Sequence, residues 1–413
     1  MWKPSLDQVP ALDDIDVSDP AIYQSDTWRP LFARLRAEDP VHYHADSPFG
    51  PYWSVTRLKD LMYVDTHHQL FSSEPTIVIG DQAADFEIDN FIQMDPPKHD
   101  AQRGAVMPVV APRNLAKLEP VIRKRLQPIL DGLPVGETFD WVDCVSIELT
   151  TQMLATLFDF PFEERRKLTR WSDMSTDGEA TTGGSLFTEE ERRAGLMECL
   201  ETFLGLFRER AAKPPAERLD LVTMLAHSPE TRDMPSRPME FLGNVMLLIV
   251  GGNDTTRNTI SGGVLALNEY PEEYRKLREH PELIPSMVSE MVRWQTAVLH
   301  MRRTATEDTE LGGKAIHAGD KVVMWYISGN RDDSVIEEPD RLIIDRPNAR
   351  HHVAFGFGIH RCMGNRLAEM QLRIVWEEVM KRFRFVEVMG EPERLRSNFI
   401  RGITRLPVRV HPW

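Results

Sequence analysis

Phe355-Gly-Phe-Gly-Ile-His-Arg-Cys-Met-Gly364 sets a lone cysteine, Cys362, in a glycine-rich turn just ahead of a strongly helical segment. Gly356, Gly358 and Gly364 allow backbone conformations and close approaches that other residues cannot make. Backbone N–H groups near a helix start favour an anionic sulfur, so the stretch reads as a thiolate loop. A lone cysteine is more often simply buried. Five marked positions within ten residues (Phe355, Gly358, His360, Cys362 and Gly364) weigh against that plain reading. Beyond the loop, Leu367, Met370, Ile374 and Val375 recur at spacings that put them on one helix face.

Working outward, Leu247-Leu-Ile-Val-Gly-Gly-Asn-Asp-Thr-Thr256 lies inside an apolar, helix-length run. Each mid-helix glycine costs about 1 kcal/mol relative to alanine, so Gly251 and Gly252 need a reason. From the residues alone, a helix C-cap followed by an Asp-Thr-Thr N-cap explains them equally well. Glu290-Met-Val-Arg293 pairs opposite charges three apart on one helix face, where a surface ion pair is the ordinary outcome. Asp95-Pro-Pro-Lys-His-Asp-Ala-Gln-Arg103 sets His99 and Arg103 one turn apart after prolines suited to a helix start. His42, His44, His67, His68, His300, His351 and His352 show no metal-ligand spacing, and the His351-His352 pair reads as local packing.

The chain has 413 residues, 41% of them hydrophobic and 27% charged, as in ordinary globular proteins. Its net charge of −15 argues against nucleic acid as a partner. Three scattered cysteines, Cys144, Cys199 and Cys362, make no disulfide framework and fit a reducing compartment. Met1 to Asp19 is acidic and proline-spaced, unlike a signal peptide. The apolar run Val245 to Val250 is far too short for a membrane span, so a cytoplasmic protein without a transmembrane anchor is expected. Strand signals fall at Val41–His44, Tyr52–Val55, Glu310 to Met324 and the last twenty-odd residues, with Val322–Ile327 as a buried strand. Residues 110 to 300 are mainly helical in pattern, with long periodic stretches at Asp140–Phe158, Glu189–Ala212 and Met239–Leu267. Asp173 to Phe187, rich in glycine and threonine, reads as an exposed flexible loop. The fold class expected is mainly α with a smaller β-containing lobe.

Phe355, Gly358, His360, Cys362 and Gly364 together reproduce the F-x-x-G-x-H-x-C-x-G signature, and the chain resembles the cytochromes P-450, the haem-thiolate monooxygenases. The likeness runs from Tyr52 through Arg401. It is similar in narrower detail to the bacterial terminal (ω) hydroxylases of alkanes and fatty acids, through Met94–His99, Glu137–Val142, Leu154–Pro161, Arg170–Asp173, Gly251–Asn258 and Lys321–Tyr326. Sterol side-chain hydroxylases look alike around Arg302–Thr306 and Glu310–Gly313. The resemblance implies one domain over 1–413, with an α-rich lobe about 90–300 and 360–385 and β-containing parts about 40–60, 305–330 and 385–413. It also implies a long central helix over a haem b whose iron is held by Cys362. Matching positions for the haem propionates are His99, Arg103, Arg303 and His360. Asp254 and Thr255 match the acid–alcohol pair that delivers protons for oxygen activation. Glu290 and Arg293 match the pair that ties the core beneath the haem. Many relatives carry alanine at the position of Gly251.

The activity so implied is insertion of one oxygen atom of O2 into an unactivated C–H bond. The cofactor supplies the hard chemistry and the protein supplies orientation and proton delivery. No flavin or nicotinamide fingerprint is present, so electrons are expected from a separate ferredoxin and NAD(P)H ferredoxin reductase. Arg361 and Arg366 beside the cysteine are candidates to meet an acidic carrier. A terminal methyl is the harder carbon to attack, so selection must be geometric. Candidate pocket residues are Leu247, Leu248, Gly251, Val298, Leu299 and Phe399, within the ranges Ile77–Phe91, Leu247–Gly251, Ala297–Met301 and Phe399–Ile400. The expected substrates are linear alkanes or medium- and long-chain fatty acids, with a sterol or branched-lipid side chain as the alternative. A haem-binding sensor or electron carrier would need the cysteine loop but not Gly-Gly-Asn-Asp-Thr, and this chain has both.

Overall fold

The apolar run at 239–267 extends at both ends into one continuous helix, Pro238–Glu269, in the computed structural model, which describes residues 9–178, 181–183, 186–215 and 220–413. Pro238 sits in its first turn, where a missing N–H is harmless. At 32 residues the helix is about 48 Å long. It is buried over most of its surface, its apolar residues together with the polar Asn244, Asn253, Asp254 and Asn258. No cap interrupts Gly251-Gly252, so the reading of two helices meeting there is excluded. Gly252 has a packing reason: a Cβ there would lie 2.8 Å from Leu154 Cδ2, whereas one at Gly251 would meet nothing within 4 Å.

Around this axis pack Glu148–Phe158, Arg166–Thr176, Glu189–Ala211, Ile284–Gln295 and Asn365–Arg382, with Pro112–Asp131 packed against the first and last of these. Leu126, Leu149, Trp171, Phe203, Ile260 and Trp376 belong to the resulting core. The stretch 140–158 is not one helix. It opens on a short strand, Phe139–Asp140, passes a wide π-turn at Val142–Ile147, and becomes α-helical only from Glu148.

The smaller lobe centres on a five-stranded sheet in the order Val41–His44, Tyr52–Val55, Lys321–Met324, Met301–Ala305, Phe71–Ser72. The second pairing, with Trp53 opposite Val322, is parallel; the other three are antiparallel. The 320s strand stops at Met324, three residues before the apolar run ends, and Tyr326–Gly329 turns into a short helix. The C-terminal strands Phe383–Val388 and Pro407–Pro412 form a second sheet with Phe139–Asp140. Among the described residues no helix is long and apolar enough to cross a membrane.

The segment 173–187 departs from its expected exposure. Asp173 to Thr176 complete a helix, and Asp177, Thr181 and Thr182 are buried. The Asp177 carboxylate accepts from Thr182 Oγ1, Leu186 N and Phe187 N, so the chain folds round an acid. Residues 179–180 and 184–185 of that stretch lie outside the described residues.

Candidate active site

The cysteine loop is held mainly by its own backbone and by one buried acid. Cys362 N donates to Phe355 O at 2.8 Å, and Phe357 N donates to Asp65 Oδ2 at 3.0 Å. Gly358 has φ +63°, and a Cβ there would stand 2.0 Å from Asp65 O, so only glycine fits. Gly364 then caps the helix Asn365–Arg382. The Cys362 sulfur lies at that helix start and opens into a cavity of about 940 Å³. Desolvation pushes its thiol up, while the Gly364 N–H, Arg103, Arg361 and the Asn365 N–H pull it down. A coordinated metal would settle the balance, because a ligating thiol is deprotonated outright.

Beside the sulfur the structure brings four predicted cation-type residues to one region. His99 and His360 stack edge-on with ring centroids 4.3 Å apart. Their outer nitrogens are satisfied: His99 Nδ1 by Asp100 at 2.8 Å and His360 Nε2 by Ser73 Oγ at 2.9 Å. His99 Nε2 and His360 Nδ1 are buried with no hydrogen-bond partner. Burial, with Arg303 and His99 nearby, pushes the His360 ring down to about 2, so it stays neutral until a negative group arrives. Arg103 and Arg303 line the same cavity. Arg103 Nη2 donates to Arg361 O at 2.5 Å, and Arg303 Nη2 pairs with Asp65 Oδ1 at 2.9 Å.

A haem fits this donor set. One sulfur faces the cavity, and two orphaned imidazole nitrogens and two guanidiniums stand ready for a pair of buried carboxylates, which would be costly unpartnered. Sequence reading missed Asp65 and Ser73, which orient Arg303 and His360; each lies more than 200 residues away in the chain, so no local spacing announces it.

On the opposite wall, Thr255 of the central helix lines the cavity with Gly251, and its Oγ1 donates to Gly251 O at 3.1 Å. Asp254 does not line it. Its carboxylate is buried against Ser172 Oγ at 3.2 Å, Asn253 Nδ2 at 3.1 Å and Arg257 at 2.8 Å. Arg257 also pairs with Asp173, 32% exposed, at 2.6 Å. Burial pushes the Asp254 carboxyl up to about 6 against the pull of Arg257, with Asp173 adding to the rise. Sequence reading missed both Arg257 and Ser172; Arg257, three residues beyond Asp254 on the same helix, carries a local signal, and Ser172 carries none.

Of the pocket candidates, Leu247, Leu248, Gly251, Val298 and Phe399 line the cavity, joined by Met301 and Ile400. Leu299 does not. It points to the other side of its extended segment, where it packs with Ile79 and Trp325. Alternation along an extended chain sends neighbours to opposite faces, and Val298 takes the cavity side. Glu290 and Arg293 lie away from the cavity lining. Arg293 Nε and Nη2 each donate to the buried Glu290 carboxylate at 2.7 Å, and Arg346 Nε adds contacts at 3.0 and 3.1 Å. His352 packs against Phe355 at 5.7 Å, and among the described residues no His/Cys/Asp/Glu cluster could hold a metal ion.

Comparison with known proteins gives a consistent result. The Cytochrome P450 family model matches residues 190–410. The linalool 8-monooxygenase of Pseudomonas putida is 37% identical over 96% of this chain and 99% of its own. The steroid C26-monooxygenase of Mycobacterium tuberculosis is 34% identical over 94% and 90%. The structure of cytochrome P450-153 from Novosphingobium aromaticivorans superposes with a TM-score of 0.89 at 47% identity, covering 96% of this chain and 99% of that one.

Proposed function

Since the chain belongs to the cytochrome P450 family and is a haem-thiolate monooxygenase, we propose that it hydroxylates the terminal carbon of linear alkanes or medium- and long-chain fatty acids, giving primary alcohols. One observation carries this reading. A single cavity holds Cys362 and Thr255 at its reactive part and is walled there by Leu247, Leu248, Val298, Met301, Phe399 and Ile400. These apolar side chains offer a chain no hydrogen bond, so along them it is positioned by shape. The name of the steroid C26-monooxygenase relative supports a second reading, a sterol or branched side chain oxidised at its end. Product analysis by gas chromatography decides: the expected outcome is mainly the 1-alcohol or ω-hydroxy acid. Mainly internal alcohols would refute the terminal assignment.

Bound haem supplies oxygen activation, with Cys362 as its iron ligand and His99, Arg103, Arg303 and His360 holding its propionates. In our reading the Thr255 hydroxyl, anchored on Gly251 O, presents a proton at Oγ1 to the cavity. Asp254, whose carboxyl is raised toward neutrality, holds the next proton and exchanges it by turning from Arg257. Arg257 stays charged and bridges Asp254 to Asp173, which is 32% exposed, so a carboxyl released from it exchanges its proton on the surface side. Thr255→Ala is expected to keep most reductant consumption while diverting it to hydrogen peroxide, with product formation falling by about 10-fold or more. Unchanged coupling of NAD(P)H to product would remove Thr255 from proton delivery.

Electrons are assigned to a separate ferredoxin. Arg361 and Arg366 are exposed beside the cysteine, a local positive face on a chain of net charge −15. We place the enzyme in the cytoplasm, consistent with three free cysteines.

A further inference from the structure

Far from the cysteine in sequence, the cavity lining also includes two arginines with no role in the chemistry above. We propose that Arg192 and Arg193 form a carboxylate-binding subsite at the cavity rim that holds the head group of a fatty acid while its methyl end lies at the reaction centre. This rests on the linear-chain reading of the substrate.

Both guanidiniums line the cavity that contains Cys362 and Thr255. They project from the first turns of the helix Glu189–Ala211, whose start is fixed by a reciprocal cap between Thr188 and Glu191. The Phe86 ring carries both cations, with Arg192 Cζ 5.7 Å and Arg193 Cζ 4.9 Å from its centroid. An aromatic face of this kind holds a planar guanidinium while leaving its edge free to bind.

Each edge is already shaped for a carboxylate. Arg193 grips Asp85 with Nη1 and Nη2 at 2.6 and 3.0 Å, and its Nε meets Glu189 at 2.5 Å. Arg192 meets Glu189 through Nε at 2.7 Å and Nη2 at 2.9 Å, while Nη1 has no hydrogen bond among the described residues. The hydrogen bonds of Arg192 and Arg193 hold the Glu189 carboxyl down to about 2, so one carboxylate already sits between the two guanidiniums. Asp85 is 72% exposed, and such a surface pair contributes little, so an incoming carboxylate can take its place in the fork.

The gain in specificity is geometric. A linear chain has one polar end, and fixing it at the rim sets which carbon reaches the reactive part. Alkanes have no such handle and would be held by the apolar walls alone.

The test titrates holoenzyme with dodecanoate and with dodecane and reads the iron spin-state shift. Arg192→Gln/Arg193→Gln is expected to raise the Kd for dodecanoate about tenfold or more while leaving dodecane within about twofold. Glu189→Gln, which removes a competing carboxylate, is expected to tighten dodecanoate about threefold. An unchanged dodecanoate Kd in the double variant overturns the subsite. So does an equal loss for dodecane, which would assign the arginines to the shape of the rim. If the wild-type protein responds to neither chain, the linear-chain reading fails and the subsite falls with it.

Discussion

Cys362→Ser is expected to remove the strongly red-shifted Soret band of the reduced carbonyl complex and to abolish turnover, while leaving the protein folded. The two halves of that expectation have different origins. The spectroscopic half follows from the sulfur: a thiolate pushes electron density onto haem iron in a way that a serine hydroxyl, neutral at working pH, does not. Loss of a direct ligand should exceed the roughly 10–100-fold cost typical of losing an outer-shell partner. The structural half follows from the loop. Its shape is set by Cys362 N on Phe355 O, Gly356 N on Val353 O and Phe357 N on Asp65, none of which involves the cysteine side chain. Serine keeps the backbone and nearly the volume, so circular dichroism and the denaturant midpoint of the haem-free protein should be close to wild type. A carbonyl complex that absorbs at the same wavelength in the variant would mean that sulfur is not the ligand, and the orphaned nitrogens of His99 and His360 would be next to test.

What could be seen in the sequence divides along a physical line. Features fixed by neighbours in the chain were legible: the cysteine loop, the apolar-periodic stretch at 239–267, the helical pattern at 189–212, and the strands at 41–44 and 52–55. Features fixed by distant partners were not. Asp65 sits on the helix Leu58–Thr66 and gathers Arg303, Tyr326 and the cysteine loop, yet nothing in its own surroundings marks it as more than a surface acid. The loop after Thr176 was misread because glycine and threonine usually mean solvent; here the buried Asp177 consumes those polar groups locally. Leu299 was placed in the pocket because its neighbours are there, but face alternation depends on the exact path of an extended segment. Similarly, the reading at Gly251-Gly252 stayed open between a cap and a through-running helix, which only the continuous helix Pro238–Glu269 decides, with Leu154 packed close to Gly252.

Glu290→Ala should destabilise the protein by about 3–5 kcal/mol, the range for removing one member of a buried ion pair and stranding its partner. Sequence spacing allowed a trivial surface pair at Glu290 and Arg293, but both side chains are essentially inaccessible, at 0% and 1% exposure. Glu290 faces two guanidiniums, those of Arg293 and Arg346, and it also accepts Ile343 N at 3.0 Å. Removing it leaves two positive charges in a protein interior, whereas Arg346→Ala leaves Glu290 still neutralised by Arg293 and should cost less. The consequences reach the haem side. Arg293 Nη1 donates to Asn330 O at 2.8 Å and Pro339 O at 2.7 Å, and Asn330 Oδ1 accepts Val353 N at 2.8 Å, at the approach to the cysteine loop. Faster haem loss should therefore accompany the lower denaturant midpoint, and the two should move together across Glu290→Ala, Arg293→Ala and Arg346→Ala. A midpoint change equivalent to less than about 1 kcal/mol for Glu290→Ala would show that this cluster behaves as an exposed pair. Haem loss without any change in midpoint would separate the cluster's hold on the loop from its contribution to the core.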